Sequence, residues 1–247
     1  MEIVANPSGA KWKRAVLKIS GEALASSSCD EVIDAQVLQQ VASEIVEATQ
    51  VLKVQLAVVV GGGNIWRGGV GVGAKLERAT SDNMGMLATI INALALQNAV
   101  EKMGQPTRVQ SAIAMAELAE PYIRRRAIRH LEKGILVIFA AGTGSPYFTT
   151  DTAAALRCAE IDAEVVLKGT HSGIDGIYDA DPKIYPNAKK FEQITFMEVV
   201  SKDLKVMDMT AITFCKDNDL PVHVFDLMQP GNILRALRGE LLGTLVS

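Results

Sequence analysis

The sequence predicts an α/β fold in which helices cover both faces of a mainly parallel β-sheet. Short apolar runs alternate with helical patterns along the chain. Within these runs, apolar residues follow one another directly, which is typical of strands that are covered on both faces. The 247 residues are 49% hydrophobic but only 5% aromatic. The chain can therefore bury the aliphatic core of one large domain, predicted to span residues 1–247.

Short runs that are apolar at most successive positions mark the predicted strands. In chain order these are Ala15–Ile19, Gln55–Val60, Ile135–Ala140, Glu164–Lys168 and Val222–Asp226. The predicted helices are Ile33–Thr49, Ser81–Met103, Asp151–Ala159 and Thr195–Leu204. The first is amphipathic, with Glu44 off its apolar face. The second is apolar nearly all round, which predicts a place in the core or at a subunit contact. In the last, Thr195 and Glu198 have the spacing of a capping box.

Charge and composition exclude several classes of protein. The 25 Lys and Arg residues against 28 Asp and Glu residues give a net charge of −3, which argues against a nucleic-acid partner. The N-terminus lacks the apolar region of a signal peptide. The most apolar stretch, Met84–Val100, is too short and too polar to span a membrane. The three cysteines have no CxxC spacing and indicate neither disulfides nor zinc. We therefore expect a cytoplasmic protein with no membrane partner.

Small and hydroxyl-bearing residues follow the predicted strands. Ser20-Gly21 follows the first, Gly61-Gly-Gly-Asn64 the second, Gly142-Thr-Gly-Ser145 the third and Gly169-Thr170 the fourth. Ligands of open α/β sheets bind beyond the carboxyl ends of the strands. Residues of this kind let backbone N–H groups approach an anion closely. The pattern therefore predicts a site for phosphates.

The common phosphate-binding motifs are absent. No Gly-Lys dipeptide occurs, so there is no Walker A loop. The Gly61-Gly62-Gly63 run lacks the third glycine of a dinucleotide fingerprint, because Trp66 stands in that place. Neither HRD nor DFG occurs, which excludes the protein-kinase pattern.

Cations near the strand ends are candidate catalytic groups. Lys18 lies inside an apolar strand, where an uncompensated ammonium group is costly. Arg67 follows the glycine run by four residues. Phosphoryl transfer needs mainly positioning and charge stabilisation, which such cations supply. Thr149, Thr150 and Asp151 come together at the predicted start of a helix, where capping groups and the helix dipole favour an anion.

Five motifs in order along the chain resemble those of the amino acid kinase family. They are Lys18–Leu24 (KISGEAL), Val60–Gly68 (VGGGNIWRG), Asp82–Ala88 (DNMGMLA), Ala141–Asp151 (AGTGSPYFTTD) and Leu204–Asp208 (LKVMD). The similarity extends from about residue 13 to the C-terminus. The first two motifs indicate the family, and the third and fourth narrow the resemblance to its members that phosphorylate UMP.

The resemblance implies transfer of a phosphoryl group from ATP to UMP, with Mg²⁺ carried by ATP, in pyrimidine nucleotide biosynthesis. It implies a three-layer α/β/α sandwich that assembles as a homohexamer, with inhibition by UTP. The part before about residue 165 would bind mainly UMP, and the part after it mainly ATP. No protein ligand for the metal is predicted.

The resemblance also assigns roles to individual residues. Those implied as catalytic are Lys18, Arg67, Asp151 and Asp208. Those implied to bind ATP are Lys18, Ile19, Ser20, Gly21, Gly63, Arg67, Thr170, Tyr178 and Asp181. Those implied to bind UMP are Gly62, Asp82, Thr143, Gly144, Ser145, Pro146, Tyr147, Phe148, Thr149 and Thr150, with Asp82 accepting a hydrogen bond from the ribose.

Two segments depart from the family's pattern. The loop at Ala25–Glu31 lacks the glycine associated with activation by GTP, so GTP remains only a candidate effector. The segment from Thr170 to Asp175 is about two residues longer than usual and borders the expected adenosine pocket.

Three alternatives remain open. A kinase of the same family acting on acetylglutamate, carbamate or an amino acid would share Lys18 and the glycine-rich loops, but would not need Asp82 or the segment after Thr143. A non-catalytic nucleotide-binding or storage module would bind ATP without turnover. A Rossmann dehydrogenase would bind NAD.

Overall fold

The structure is a computed structural model that describes residues 9–25, 31–67, 76–171 and 173–247. The helices are α1 (Ala35–Gln50), α2 (Arg78–Lys102), α3 (Arg124–Glu132), α4 (Thr150–Glu160), α5 (Phe196–Ser201), α6 (Met209–Asp217) and α7 (Asn232–Leu237), with a 3₁₀ helix at Gly21–Leu24. The glycine-rich segment 68–73 and most of the Ala25–Glu31 loop, on which the question of GTP activation depends, lie outside the described residues.

A nine-stranded sheet forms the middle of the molecule, in the order β4-β3-β5-β2-β1-β6-β10-β11-β9. Its strands are β1 (Arg14–Ile19), β2 (Gln55–Val60), β3 (Thr107–Ser111), β4 (Glu120–Pro121), β5 (Leu136–Ala140), β6 (Val166–Thr170), β9 (Gln193–Ile194), β10 (Val222–Asp226) and β11 (Thr244–Val246); β7 (Ile177–Tyr178) and β8 (Lys190–Phe191) form a separate hairpin. Every pairing in the large sheet is parallel except that of β10 with β11. The prediction of a mainly parallel sheet is confirmed.

Two apolar clusters cover opposite faces of the sheet. Leu17 and Ile19 of β1 pack in one cluster, together with residues of α1, α2 and α7. Val16, on the other face of the same strand, packs with residues of α3, α4, α5 and α6. Because successive side chains of a strand point to opposite faces, this division confirms the three-layer sandwich.

The bounds of β6 and the burial of Glu44 both differ from the sequence prediction. The fourth predicted strand begins two residues later than expected, so Gly169 and Thr170 lie inside β6, where they pair with residues of β10. Glu44 was placed off the apolar face of the first helix, yet it is only 7% exposed. Its carboxylate accepts hydrogen bonds from the backbone N–H groups of Gly231 (2.8 Å) and Ile233 (3.1 Å). These donors at the start of α7, a helix not predicted, explain its burial.

Candidate active site

Two lysines and one aspartate form a buried charged group at the middle of the sheet. Lys18 of β1 pairs in register with Lys168 of β6. Asp151, in the first turn of α4, lies between the two ammonium groups. Its Oδ1 is 2.9 Å from the Lys18 Nζ, and its Oδ2 accepts a 2.6 Å hydrogen bond from the Lys168 Nζ. The structure thus brings together the predicted residues Lys18 and Asp151, and adds Lys168, which the sequence analysis missed.

Burial and charge act in opposite directions on this group. Burial alone would raise the pKa of Asp151, but the ammonium groups of Lys18 and Lys168 outweigh it and hold the pKa below its ordinary value. Burial lowers the pKa of Lys168, and the neighbouring Asp151 offsets this only in part. With Asp151 ionised and both lysines protonated, the group carries one net positive charge. It therefore attracts an anion.

A cavity of about 230 Å³ reaches Thr149 and Thr150, the residues just before Asp151 in the chain. Of the residues implied to bind UMP, it is lined by Gly62, Asp82, Thr143, Ser145, Phe148, Thr149 and Thr150. Arg78 also lines it, and was not predicted. The Asp82 carboxylate accepts hydrogen bonds from the Arg78 Nε (2.8 Å) and from the Tyr147 backbone N–H (2.8 Å). We call this space the acceptor cavity.

The segment Ala141–Thr149, here called the acceptor loop, forms one wall of that cavity. Its backbone is left-handed at Ala141 (φ 61°), Gly142 (57°), Gly144 (82°) and Tyr147 (73°). A side chain at Gly144 would place its Cβ 2.9 Å from the Ala112 carbonyl oxygen, so this position requires glycine. The loop leads into the N-terminus of α4, where backbone N–H groups favour an anion.

The segment Gly61–Asn64, here called the glycine turn, approaches helix α2 closely. A Cβ at Gly62 would lie 2.8 Å from the Cβ of Ala88 and 2.9 Å from the Gly85 carbonyl oxygen. A Cβ at Gly21 would lie 2.5 Å from the Asn64 Oδ1. Both glycines are thus needed for close packing between the segments that follow β1 and β2 and helix α2.

A second cavity, of about 570 Å³, opens beside the two lysines of the charged group. We call it the donor cavity. Of the residues implied to bind ATP, it is lined by Lys18, Ser20, Thr170, Tyr178 and Asp181. Lys168 and His171 line it as well. Ile19 does not, because its side chain is fully buried in the apolar cluster beneath α1. Only the backbone of Ile19 remains for the role that the resemblance implies.

Arg67 stands apart from the lysine pair. Its side chain is 59% exposed and forms an ion pair with Glu22, in the 3₁₀ helix after Ser20. The other Glu22 oxygen is 2.7 Å from the His171 Nε2. Arg67 therefore lies at the rim of the site, where it is paired with the Glu22 carboxylate, a group that was not predicted. His171 belongs to the segment noted above as unusually long.

Asp208 connects two helices. Its carboxylate accepts hydrogen bonds from the Ala211 backbone N–H (2.9 Å), which caps α6, and from the hydroxyl groups of Thr149 and Thr152. Thr149 in turn caps α4. Asp208 therefore holds the end of the acceptor loop and the start of α4 against α6.

Within the described part of the chain, no three His, Cys, Asp or Glu side chains come together as a candidate metal-binding group. In the same residues, no helix is long and apolar enough to cross a membrane.

Two cavities lie at the carboxyl ends of parallel strands, one lined by both lysines of an anion-attracting group and the other by the residues just before its aspartate. Such a site defines a protein that holds two phosphate-bearing molecules side by side. Residues 13–226 match the model of the amino acid kinase family. The chain belongs to that family.

Individual relatives agree with this assignment. The chain is 58% identical over 237 residues to the chloroplastic uridylate kinase PUMPKIN of Arabidopsis thaliana, covering 96% of this chain and 69% of that protein. The UMP kinase of Bacillus anthracis superposes with a TM-score of 0.91 at 36% identity, over 96% of each chain. The UMP kinase of Ureaplasma parvum gives 0.89 at 41% identity, over 95% of this chain and 98% of that one.

Proposed function

We propose that this protein transfers the γ-phosphoryl group of ATP to UMP, producing ADP and UDP, as one step of pyrimidine nucleotide biosynthesis. The observation that carries the proposal is the Lys18–Asp151–Lys168 group, whose lysines line the donor cavity and whose aspartate directly follows Thr150 of the acceptor cavity. The similarity to uridylate kinases supports UMP as the acceptor.

We assign ATP to the donor cavity and UMP to the acceptor cavity. The donor cavity is the larger, as the larger nucleotide requires, and most of its lining comes from residues 168–206. The lining of the acceptor cavity comes entirely from residues 62–150. This division supports the prediction that the chain binds UMP mainly before residue 165 and ATP mainly after it.

The reaction requires no nucleophile from the protein. An oxygen of the UMP phosphate attacks the γ-phosphorus of ATP in line, the bond to the bridging oxygen breaks, and ADP leaves with that oxygen's electron pair. Both reactants are anions, so the first task is to cancel their repulsion. Lys18 and Lys168 supply positive charge at the donor cavity, and Mg²⁺ enters with ATP as part of the substrate. Asp151 holds the two ammonium groups in place.

The remaining implied residues are assigned by position. Asp82 is oriented by Arg78 and the Tyr147 backbone, leaving its carboxylate at the acceptor cavity for a ribose hydroxyl. Thr150 offers its hydroxyl group to the acceptor phosphate, whereas Thr149 donates its hydroxyl to Asp208 and lines the acceptor cavity at the start of α4. Arg67 joins the site by exchanging Glu22 for a substrate phosphate. Asp208 acts by holding Thr149 in place.

The decisive experiment measures ADP release with Mg·ATP and each of UMP, CMP, AMP, GMP, acetylglutamate and carbamate. Turnover with UMP alone supports the proposal. Turnover with acetylglutamate or carbamate assigns the chain to another branch of the family. ATP binding without turnover with any acceptor supports a non-catalytic module, and NAD binding would support a dehydrogenase.

Further properties follow from the resemblance and are proposed with their tests. We propose a homohexamer, tested by light scattering, in which the exposed Leu87 and Ile91 of α2 are covered by a second copy. UTP is proposed to inhibit and GTP is the candidate activator, both tested in the ADP-release assay. The compartment predicted from the sequence is the cytoplasm, whereas the Arabidopsis relative is chloroplastic by name; cell fractionation distinguishes them.

A further inference from the structure

Helix α2 turns inward two polar side chains that the proposed reaction does not yet use: Thr89, in the lining of the acceptor cavity, and Asn92, in the core. Thr89 is 3% exposed and Asn92 is fully buried. They are three positions apart and so share one face of the helix. Burying such groups costs free energy unless hydrogen bonds compensate. Here the compensating bonds go to two different loops of the site.

Thr89 holds the beginning of the acceptor loop. Its hydroxyl oxygen accepts a 2.7 Å hydrogen bond from the Ala141 backbone N–H, while the hydroxyl donates to the Met86 carbonyl oxygen of its own helix (2.7 Å). Ala141 is the first left-handed residue after β5. The contact therefore fixes the point and the direction in which the loop leaves the sheet.

Asn92 holds the glycine turn. Its amide Nδ2 donates to the Gly61 carbonyl oxygen (2.7 Å) and to the Asn64 Oδ1 (2.7 Å), and the Asn64 Nδ2 donates back to the Asn92 Oδ1 (3.1 Å). The same Asn64 oxygen occupies the space beside Gly21. The Asn64–Asn92 pair thus lies between helix α2 and the turns that follow β1 and β2.

We propose that Thr89 and Asn92 are positioning residues. They attach the acceptor loop and the glycine turn to the same helix and so fix the distance between these two segments. This inference rests on the proposed function, because the separation matters only if a phosphoryl group passes between two nucleotides. Misplacement by about 1 Å can lower such a rate about a hundredfold. Thr89 acts on the acceptor alone, whereas the Asn64–Asn92 pair acts on the alignment of both substrates.

The Thr89 contact is tested by comparing the change in the KM for UMP with the change in the KM for ATP when the contact is removed. Thr89→Val keeps the shape of the side chain but leaves the Ala141 N–H without its acceptor. We expect the KM for UMP to rise about tenfold, as for loss of one hydrogen bond, while the KM for ATP changes less than about twofold. Thr89→Ser should retain the wild-type values. The matched control is Thr213→Val, because among the described residues the Thr213 hydroxyl bonds only within its own helix α6.

The Asn64–Asn92 pair is tested by a double-mutant cycle. Asn92→Leu and Asn64→Leu should each lower kcat at least about tenfold, and the double variant should be no slower than the slower single variant, because the pair acts as a unit. Rates are normalised to folded protein by titration of the ATP site.

Each outcome decides the question. Equal rises in both KM values, unchanged values, or a Thr89→Ser variant as impaired as Thr89→Val would overturn the role of Thr89. Losses that multiply in the double variant would overturn the paired role of Asn92. Wild-type turnover with UMP is measured first, because its absence refutes the proposed function itself, whereas normal wild-type turnover with unaffected variants refutes only the positioning.

Discussion

Lys18 and Lys168 occupy the same register position on adjacent parallel strands, and both side chains point to the face covered by α4. Two like charges at this spacing repel each other in a buried setting. The pair is stable only because Asp151 lies between them. The excess positive charge makes the group costly to bury. The same charge makes the group attract the negatively charged phosphoryl group that is transferred.

Removing Lys168 should lower the rate of the reaction while leaving the ion pair between Asp151 and Lys18 in place. Lys168→Met deletes one of the two cations but leaves Asp151 paired with Lys18. We expect kcat to fall about 10²–10³-fold, the range for loss of one group that stabilises transition-state charge. The KM for UMP should change little, because Lys168 lines the donor cavity. Steady-state kinetics measure this loss, with Lys102→Met, at an exposed lysine at the end of α2, as the control. A loss in kcat below tenfold for Lys168→Met would contradict the role of Lys168.

Removing Asp151 should damage the fold as well as the reaction. Asp151→Asn leaves two buried ammonium groups without a counter-charge, which costs about 3–5 kcal/mol of the free energy of unfolding. Denaturant titration measures this loss, with the exposed Asp217→Asn as control. Because the folded-state pKa of Asp151 is lowered, its contribution is present above the ordinary pKa of 3.8 and is lost as the pH falls through the lowered value. A variant as stable as the wild type at pH 7 would refute this account.

Enlarging Gly62 should disturb the contact between the glycine turn and α2. A methyl group there would lie 2.8 Å from the Ala88 Cβ. The backbone must therefore shift, and the free energy of unfolding should fall by about 1–3 kcal/mol. Gly85→Ala is the matched control, since within the part of the chain that the structure describes a Cβ there meets nothing closer than a Trp66 atom at 4.0 Å. That variant should gain up to about 1 kcal/mol from helix propensity. Thermal melting of both variants tests the contrast, and equal effects would argue against it.

Glu44 should make stability depend on pH in the opposite sense to Asp151. Burial raises its pKa above 4.5, and the N–H groups of Gly231 and Ile233 offset this only in part. A raised folded-state pKa contributes stability below the ordinary value, which is lost as the pH rises through the folded-state value. Each unit of elevation is worth about 1.4 kcal/mol. Relative to Glu44→Gln, the wild type should therefore lose free energy of unfolding as the pH rises above 4.5 and through the raised folded-state pKa; a constant difference would contradict the shift.

The sequence was sufficient for the sandwich and for the central strands, because residues buried on both faces leave continuous apolar runs. It also identified Lys18, since a cation within such a run demands a reason. Lys168 carried the same signal, but the predicted strand began two residues too early and left that lysine at its end. Register between distant strands leaves no mark in a single sequence, so the alignment of the two lysines could not be predicted.

The polar residues of the helices were missed for a different reason. An apolar pattern predicts which face of a helix is buried, but not which buried polar groups will find partners. Glu44 finds two backbone donors on α7, and Asn92 finds the glycine turn. Both partners are far away in sequence. The role of Asp82 came from the resemblance, and its ion-pair partner Arg78, one turn earlier in α2, was not predicted.

The pairing of β1 with β6 also bears on how activity is acquired during folding. At the start of this strand pair, the Arg14 backbone N–H donates to a Glu164 carboxylate 150 residues later in the chain. Contacts of such separation form slowly, because closing a long loop has an entropic cost that local contacts avoid. The strands and loops that make the acceptor cavity are closer neighbours in sequence. Refolding chains should therefore bury most of their apolar surface, and form one nucleotide site, before the charged centre exists and before any turnover begins.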